Sequence, residues 1–219
     1  MVIASSTRRR SFEDEDERIS ALYEQQRQLG AAACVIGVDE VGRGSVAGPL
    51  TVAALALPLE PPIRGLDDSK KLSPARREEL AQELRRYALA IGMAHIEADI
   101  IDRVGMAAAL RAAMVQAIES CGLEPDLVLI DGRPVRVHPK ERCIVGGDGS
   151  VACIAAASIM AKVTRDALMV AADADYPGYG FASNKGYASA EHIEAIQEKG
   201  LSPIHRKSFC HNFLQKSLF

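Results

Sequence analysis

The sequence lacks the features of a membrane-spanning or disulfide-linked secreted protein. Its longest apolar runs, residues 31–38 and 151–161, are far too short to cross a bilayer. Residues 1–10 contain arginines that no apolar segment follows, so no secretory signal is predicted. The five cysteines are odd in number and widely spaced, which argues against a CxxC zinc pair or a disulfide framework and favours a reducing compartment. We therefore expect a cytoplasmic protein.

The chain also lacks an excess of positive charge, internal repeats and low-complexity linkers. Its formal net charge is −3, so any affinity for a polyanion has to be local rather than general. Two bound divalent ions would add four positive charges, so the negative net charge does not exclude a metal-dependent nuclease. With 219 residues, of which 48% are hydrophobic, the chain can form one sizeable core.

The hydrophobic pattern predicts an α/β protein whose C-terminal part is helical. The predicted strands cover residues 34–38, 50–57, 87–96, 127–130 and 142–145. The predicted helices cover residues 76–87, 99–121 with a break near Gly105, 151–172 and 189–199. This order is typical of a sheet that is layered with helices.

The same pattern predicts three parts along the chain. These are a charged leader with one amphipathic helix over residues 1–30, an α/β catalytic domain over 31–175, and a helical subdomain with a tail over 176–219. We expect the leader to be a solvated tail that packs one face on the domain.

Three acidic residues follow predicted strands. Asp39 and Glu40 come after the first strand, and Asp131 comes after the fourth. If these strands are neighbours, the carboxylates meet outside the strand ends, where ligands commonly bind in α/β sheets. Oxygen ligands favour Mg²⁺ or Mn²⁺, and two such ions can activate water for phosphodiester hydrolysis. Adjacent strand residues point to opposite faces, however, so the pattern leaves open whether Asp39 and Glu40 share one site.

A glycine-rich segment follows the acidic pair and has two interpretations. Gly42, Gly44 and Gly48 are similar to a loosely spaced dinucleotide-binding turn. A proline and a second strand follow, however, where that motif needs a helix. The better interpretation is backbone that is exposed for close approach by a ligand.

Six segments resemble the ribonuclease HII family and occur in the family's order, over about residues 33–210. They are GVDEVGRG (37–44), DSKKL (68–72), LIDG (129–132), AASIMAKVTRD (156–166), KGY (185–187) and HRKSF (205–209). The resemblance implies a ribonuclease H-like mixed sheet with flanking helices. It also implies hydrolysis of RNA in RNA–DNA hybrids and of single ribonucleotides in duplex DNA. The cut falls on the 5′ side of the ribonucleotide and leaves 3′-hydroxyl and 5′-phosphate ends.

The resemblance further implies a catalytic site in which carboxylates hold two divalent ions, Mg²⁺ or Mn²⁺. Asp39, Glu40 and Asp131 match the family's metal ligands. Asp148 matches a fourth ligand more loosely, because residues 146–150 contain an extra glycine, and its alternative role is to cap the following helix. Asp166 is interpreted as structural, paired with a basic neighbour.

Substrate recognition is implied for the glycine-rich segment and for one tyrosine. The backbone of Gly42, Arg43 and Gly44 is expected to contact the 2′-hydroxyl, which distinguishes RNA from DNA. Tyr187 matches a family tyrosine that packs on the neighbouring deoxyribose. Together these elements would select an RNA-to-DNA junction.

Several polar and basic residues are predicted to contact substrate phosphates. Ser158, Lys162 and Arg165 recur at i, i+4 and i+7, which places them on one stripe of a helix. Lys70 and Lys71 follow an Asp-Ser turn and are similarly placed by the resemblance.

The final five residues, QKSLF (Gln215–Phe219), resemble the pentapeptide by which bacterial replication and repair proteins dock into the sliding clamp. A terminal Leu-Phe pair can fill an apolar pocket. The alternative is that Leu218 and Phe219 fold onto their own domain.

Two other functions remain alternatives at this stage, a Holliday-junction nuclease of the same fold and a catalytically silent adaptor that binds hybrids. The adaptor is disfavoured because repelling carboxylates would have no purpose without a metal. We expect a monomer, since no exposed apolar seam is evident.

Overall fold

In the computed structural model, residues 12–30 and 34–214 are described. The strands are β1 (Val35–Val41), β2 (Leu50–Ala56), β3 (Ala90–Ile96), β4 (Leu127–Asp131) and β5 (Glu141–Ile144). The helices are α1 (Phe12–Leu29), α2 (Pro74–Tyr87), α3 (Ala98–Val104), α4 (Met106–Ser120), α5 (Ala152–Asp175), α6 (Phe181–Asn184), α7 (Ala190–Lys199) and α8 (His211–Leu214). Among these helices, none has the length and hydrophobicity that a membrane span requires.

The strands form one mixed sheet in the order β3-β2-β1-β4-β5. β1 pairs antiparallel with β2 and parallel with β4, so the predicted mixed α/β sheet is confirmed. β1 continues to Val41, three residues past its predicted end, because β2 pairs with it as far as Thr51. The predicted break in the long helix is also confirmed, since Gly105 separates α3 from α4.

Helices cover both faces of the sheet. One core lies between the sheet, α5, α2 and α1, and the other lies between the sheet and α4. α5 approaches β1 very closely at Gly37, where an added Cβ would lie 2.3 Å from the carbonyl carbon of Cys153. Only glycine fits there, so this residue fixes how near α5 lies to the strand that carries Asp39.

Helix α1 belongs to the core that includes α5. Ile19, Leu22 and Tyr23 are buried in it. The side-chain oxygen of Gln26 accepts a hydrogen bond from the backbone N–H of Cys153 at 2.9 Å, which satisfies a free donor in the first turn of α5. The leader helix therefore packs on α5 and stabilises its first turn. The division of the chain at residues 30 and 175 stays a prediction.

A pair of buried histidines connects the C-terminal helices to residue 187. His205 Nδ1 accepts from the backbone N–H of Ser202 at 2.9 Å, so the His205 proton lies on Nε2, 3.0 Å from His192 Nε2. His192 in turn donates from Nδ1 to the carbonyl of Tyr187 at 2.8 Å. This chain of hydrogen bonds requires both rings to be neutral. The pKa of His205 is lowered to about 4, mainly because the ring is buried and to a smaller extent because His192 lies beside it.

This arrangement makes stability fall in acid. Below pH 6.5 the unfolded chain binds a proton at residue 205, whereas the folded protein does not until about pH 4. The free energy of unfolding should therefore decrease by about 3 kcal/mol over this interval from this group alone. Urea unfolding at a series of pH values measures the effect. His205→Gln should give a shallower dependence, and the exposed position His211→Gln is the control. Equal pH dependence in wild type and His205→Gln would contradict the assignment.

Candidate active site

The predicted carboxylates converge at one end of the central strands. The parallel register pairs Val38 of β1 with Ile130 of β4, so Asp39 and Asp131 come next on adjacent strands. The β1–β4 ladder ends at this pair, whereas β1 continues against β2. The β4 side of Asp39 and Glu40 is therefore open, and both residues line one cavity of about 440 Å³ together with Asp131. This cavity, which also contains Tyr187, is called the first cavity below.

Burial and mutual repulsion destabilise the charged forms of these carboxylates. Asp39 is only 6% exposed, and burial, followed by the charge of Glu40, raises its pKa to about 8. Burial likewise raises the pKa of Glu40 and the pKa of Asp131. The negative charge of Asp148 raises the pKa of Asp131 further. A cluster of this kind is ionised at neutral pH only where positive charge compensates it.

Positive groups already lie against two of the carboxylates. Lys70 Nζ is 3.0 Å from Asp148, and the Arg43 guanidinium is 3.5 Å from Glu40. Burial disfavours the Lys70 charge, but the hydrogen bond and charge of Asp148 outweigh it and raise the pKa of Lys70. Among the described residues, no three His, Cys, Asp or Glu side chains are gathered closely enough to chelate an ion as they stand. The donor set is nevertheless buried (Asp39, Asp148) or half-buried (Glu40, Asp131), made only of oxygens and attractive to cations, so it fits hard divalent ions.

Asp148 lies in a short 3₁₀ turn, Gly147–Gly149, that follows β5. The backbone N–H of Gly147 donates to Asp131 at 2.7 Å, so this turn fixes the Asp131 carboxylate. The alternative role of Asp148 as a helix cap is wrong, because Val151 holds the cap position of α5 and the cap has no side-chain hydrogen bond. The structural interpretation of Asp166 is confirmed by its 2.9 Å ion pair with Lys162.

The segment that follows the acidic pair, residues 42–49, is called the glycine loop below. Arg165 of α5 lies beneath it and is fully buried. Its guanidinium donates to the carbonyl oxygens of Pro49, Ala47 and Lys185 at 2.8–3.0 Å and to the Ser45 hydroxyl at 2.8 Å. The prediction that Arg165 contacts phosphates with Ser158 and Lys162 is therefore wrong, because its side chain is fully buried and four of its five N–H donors are used inside the protein.

Arg206 is a second fully buried arginine at the glycine loop. It donates to the carbonyl oxygens of Gly42 at 2.7 Å, Ser45 at 2.8 Å and Gly48 at 2.8 Å. Burial lowers the pKa of Arg206 to about 10, so it is still charged at neutral pH. Within the described part of the chain, neither Arg165 nor Arg206 forms an ion pair.

The other predicted phosphate-binding residues divide into two groups. Lys70, Ser158 and Lys162 line the first cavity. Ser158 is only 5% exposed and its hydroxyl lies 2.9 Å from that of Ser69, while its proximity to Asp39 acts to lower the pKa of that carboxyl. Lys71 lies elsewhere, near α1, with its Nζ 3.6 Å from Asp67.

The predicted junction-recognition elements lie together on the wall of the first cavity. Tyr187 is 38% exposed, and its ring centroid lies 5.5 Å from the Arg165 guanidinium. Gly42 has φ +85°, and a Cβ there would lie 2.1 Å from Arg165 Nε. Gly44 has nothing within 4 Å of its Cβ position. Among the described residues, the backbone N–H groups of Arg43 and Gly44 have no hydrogen-bond partner.

Sequence reasoning missed the roles of Arg206 and of the two histidines. Arg206 and His205 belong to the HRKSF segment, which marks them as family residues but gives no role. The Arg206 acceptors lie about 160 positions away along the chain, so no local pattern could have identified them.

The family comparison now decides between the nuclease families that this site suits. The family model described as "Ribonuclease HII" matches residues 36–212. The chain belongs to the ribonuclease HII family. It is 47% identical to the ribonuclease HII of Moorella thermoacetica over 205 residues, which cover 92% of this chain and all of that protein. It is therefore a ribonuclease that depends on divalent metal ions.

Solved structures agree with this fold. The RNase HII in a PCNA:RNase HII complex from Archaeoglobus fulgidus matches with a TM-score of 0.70 at 26% identity, over 84% of this chain and 98% of that one. A Bst-RNase HIII in complex with Mn²⁺ matches with a TM-score of 0.61 at 21% identity, over 83% of this chain and 66% of that one. The second likeness supports the fold alone.

Proposed function

We propose that this ribonuclease HII relative cleaves RNA in RNA–DNA hybrids and also cuts on the 5′ side of a single ribonucleotide embedded in duplex DNA. The observation that carries the proposal is the first cavity itself. It combines three acidic side chains with the exposed backbone of Arg43 and Gly44 and with the ring of Tyr187. The proposed site of hydrolysis and the proposed site of sugar recognition would thus lie within one opening.

Asp39, Glu40, Asp131 and Asp148 would hold two divalent ions in this proposal. Such ions, when bound, activate a water and stabilise the leaving oxygen of a phosphodiester, giving 3′-hydroxyl and 5′-phosphate ends. The protein's own contribution is to orient these ligands. The backbone N–H of Glu40 donates to Asp39 and the backbone N–H of Gly147 donates to Asp131, each at 2.7 Å, so each carboxylate keeps a fixed oxygen direction.

The glycine loop and Tyr187 would recognise the junction. A 2′-hydroxyl can accept from the free N–H groups of Arg43 and Gly44, and a deoxyribose offers no such group. A deoxyribose packed on the Tyr187 ring leaves no room for a further hydroxyl. Lys70 and Lys162 line the same cavity, where they pair with Asp148 and Asp166, so a phosphate would compete with these carboxylates for the two ammonium groups. Phosphate contacts of this kind position a strand without reading its sequence.

The first experiment uses a labelled DNA duplex with one ribonucleotide, incubated with Mg²⁺ or Mn²⁺. Wild type should make a single cut 5′ to the ribonucleotide, and Asp39→Asn and Asp131→Asn should lower the rate by at least about 100-fold, because each removes a charged metal ligand. Tyr187→Ala should lower the cleavage rate of this duplex about tenfold and that of a long RNA–DNA hybrid less, because the ring acts on the junction sugar.

Two outcomes would contradict the proposal. Binding of the duplex without cleavage by wild type would favour the adaptor function, and cleavage only of branched DNA would favour the junction nuclease.

A second experiment tests backbone recognition through Gly44→Ala. The added methyl meets nothing inside the protein, and Gly44 does not have the positive φ that strains other residues. The thermal midpoint should therefore stay the same or rise slightly, since alanine restricts the unfolded chain. Cleavage at an embedded ribonucleotide should fall at least about tenfold, because the methyl occupies the approach of the sugar. Gly42→Ala is the contrasting variant, expected to lose stability against Arg165. Full activity of Gly44→Ala would exclude this loop as the sugar contact.

We also propose that Gln215–Phe219 docks into a sliding clamp. These residues lie outside the described part of the chain, and the proposal is supported by their sequence and by the complex of the Archaeoglobus relative with PCNA. Deletion of residues 215–219 should abolish binding to the bacterial clamp in a pull-down or by surface plasmon resonance. Hydrolysis of a short hybrid should be unchanged, since the carboxylates are untouched. Leu218→Ala/Phe219→Ala is the full-length control and should behave like the deletion. Equal clamp binding by the truncated protein would exclude this docking site.

A further inference from the structure

A second cavity, of about 590 Å³, lies next to the carboxylates on the α4 face of the sheet. It shares Glu40, Arg43 and Asp131 with the first cavity, whereas its remaining wall comes from α4 and from the segment after β4. The first cavity has its wall on α5 instead. The two cavities therefore meet at the carboxylates. A nucleic-acid strand that crosses the carboxylates from the first cavity would enter the second.

The second cavity is lined by two arginines to which no role has been assigned so far. Arg111 of α4 and Arg133, two residues after Asp131, are both exposed and line it. Within the described residues, neither guanidinium forms an ion pair or a hydrogen bond. Arg103, on the neighbouring helix α3, is by contrast 3.7 Å from Asp99. Arg111 and Arg133 are thus uncompensated positive charges at the edge of an acidic site.

The wall between these arginines is apolar. Leu110, Met114 and Val135 form part of it, and Val145 at the rim is 83% exposed. A small free anion makes no favourable contact with such an apolar surface. A sugar–phosphate strand suits it better, because the sugars present apolar faces to the wall and the phosphates present the charge that guanidinium groups bind in a bidentate manner.

We propose that Arg111 and Arg133 bind the phosphates of the cleaved strand on the 5′ side of the scissile phosphodiester. This inference rests on the proposed function, in which Tyr187 holds the deoxyribose that follows the ribonucleotide. That contact assigns the first cavity to the 3′ side of the strand. The strand that crosses the carboxylates then enters the second cavity on its 5′ side.

The test compares two duplexes that each carry one ribonucleotide. One has a long flank 5′ to the ribonucleotide and a minimal 3′ flank, and the other has the reverse. Single-turnover cleavage with Mg²⁺ over a range of enzyme concentrations gives the half-saturating concentration and the maximal rate for each. Repetition at several salt concentrations gives the number of phosphate contacts.

Arg111→Gln/Arg133→Gln should raise the half-saturating concentration about tenfold on the 5′-flanked duplex and change the slope of its logarithm against log salt by about two. The maximal rate should stay the same, because neither residue touches the reacting atoms. The effect on the 3′-flanked duplex should be less than about twofold. Arg111→Lys/Arg133→Lys should restore most of the salt dependence, since the charge is retained.

The matched control is Arg86→Gln/Arg103→Gln, which removes two charges from α2 and α3 at exposed positions. An equal loss in this control, or an equal loss on both duplexes, would show that only the total charge matters and would overturn the proposal. Failure of the proposed function is a different outcome, because wild type would then make no cut 5′ to the ribonucleotide in either duplex.

Discussion

Two buried guanidinium groups determine the shape of the glycine loop, and the loop determines which atoms face the first cavity. Arg165 and Arg206 are fully buried without an ion-paired carboxylate among the described residues, so backbone carbonyl oxygens have to replace their hydration. The loop supplies those oxygens by turning its carbonyl groups inward. Among the described residues, the N–H groups of Arg43 and Gly44 are left without a hydrogen-bond partner. The surface proposed for sugar recognition thus depends on how two interior charges are solvated.

The same constraint explains why distant parts of the chain act together. Arg165 comes from α5, whose place is fixed by the close contact with Gly37 of β1. Arg206 comes from the C-terminal segment, which the His192–His205 pair connects to residue 187. Asp39 lies on β1, only two residues beyond Gly37. The carboxylates, the loop and Tyr187 therefore share one set of packed contacts, and small shifts in α5 would move all three.

Local patterns were enough to predict most of the fold and the meeting of Asp39 with Asp131, whereas the assignments of Glu40 and Asp148 came from the family resemblance. Strand ends, helix breaks and the juxtaposition of Asp39 with Asp131 depend on periodicity and on parallel pairing, which are properties of short segments. The exact length of β1 was not predictable, because its last residues are held by pairing with β2. The role of Arg165 was misread for a related reason. A polar stripe on a helix predicts a shared face, but whether that face meets solvent or a loop depends on residues far away in the sequence.

The distribution of charge resolves the apparent conflict between an acidic chain and a polyanionic substrate. The negative charges at the site are concentrated where divalent ions would compensate them, at the meeting point of the two cavities. Positive groups lie on either side, with Lys70 and Lys162 lining the first cavity and Arg111 and Arg133 lining the second. In the proposed function, neutralisation of the centre by bound cations would leave positive groups on both sides of the scissile bond. A net charge of −3 would then be no obstacle, because binding would depend on the local field of these groups rather than on the total charge.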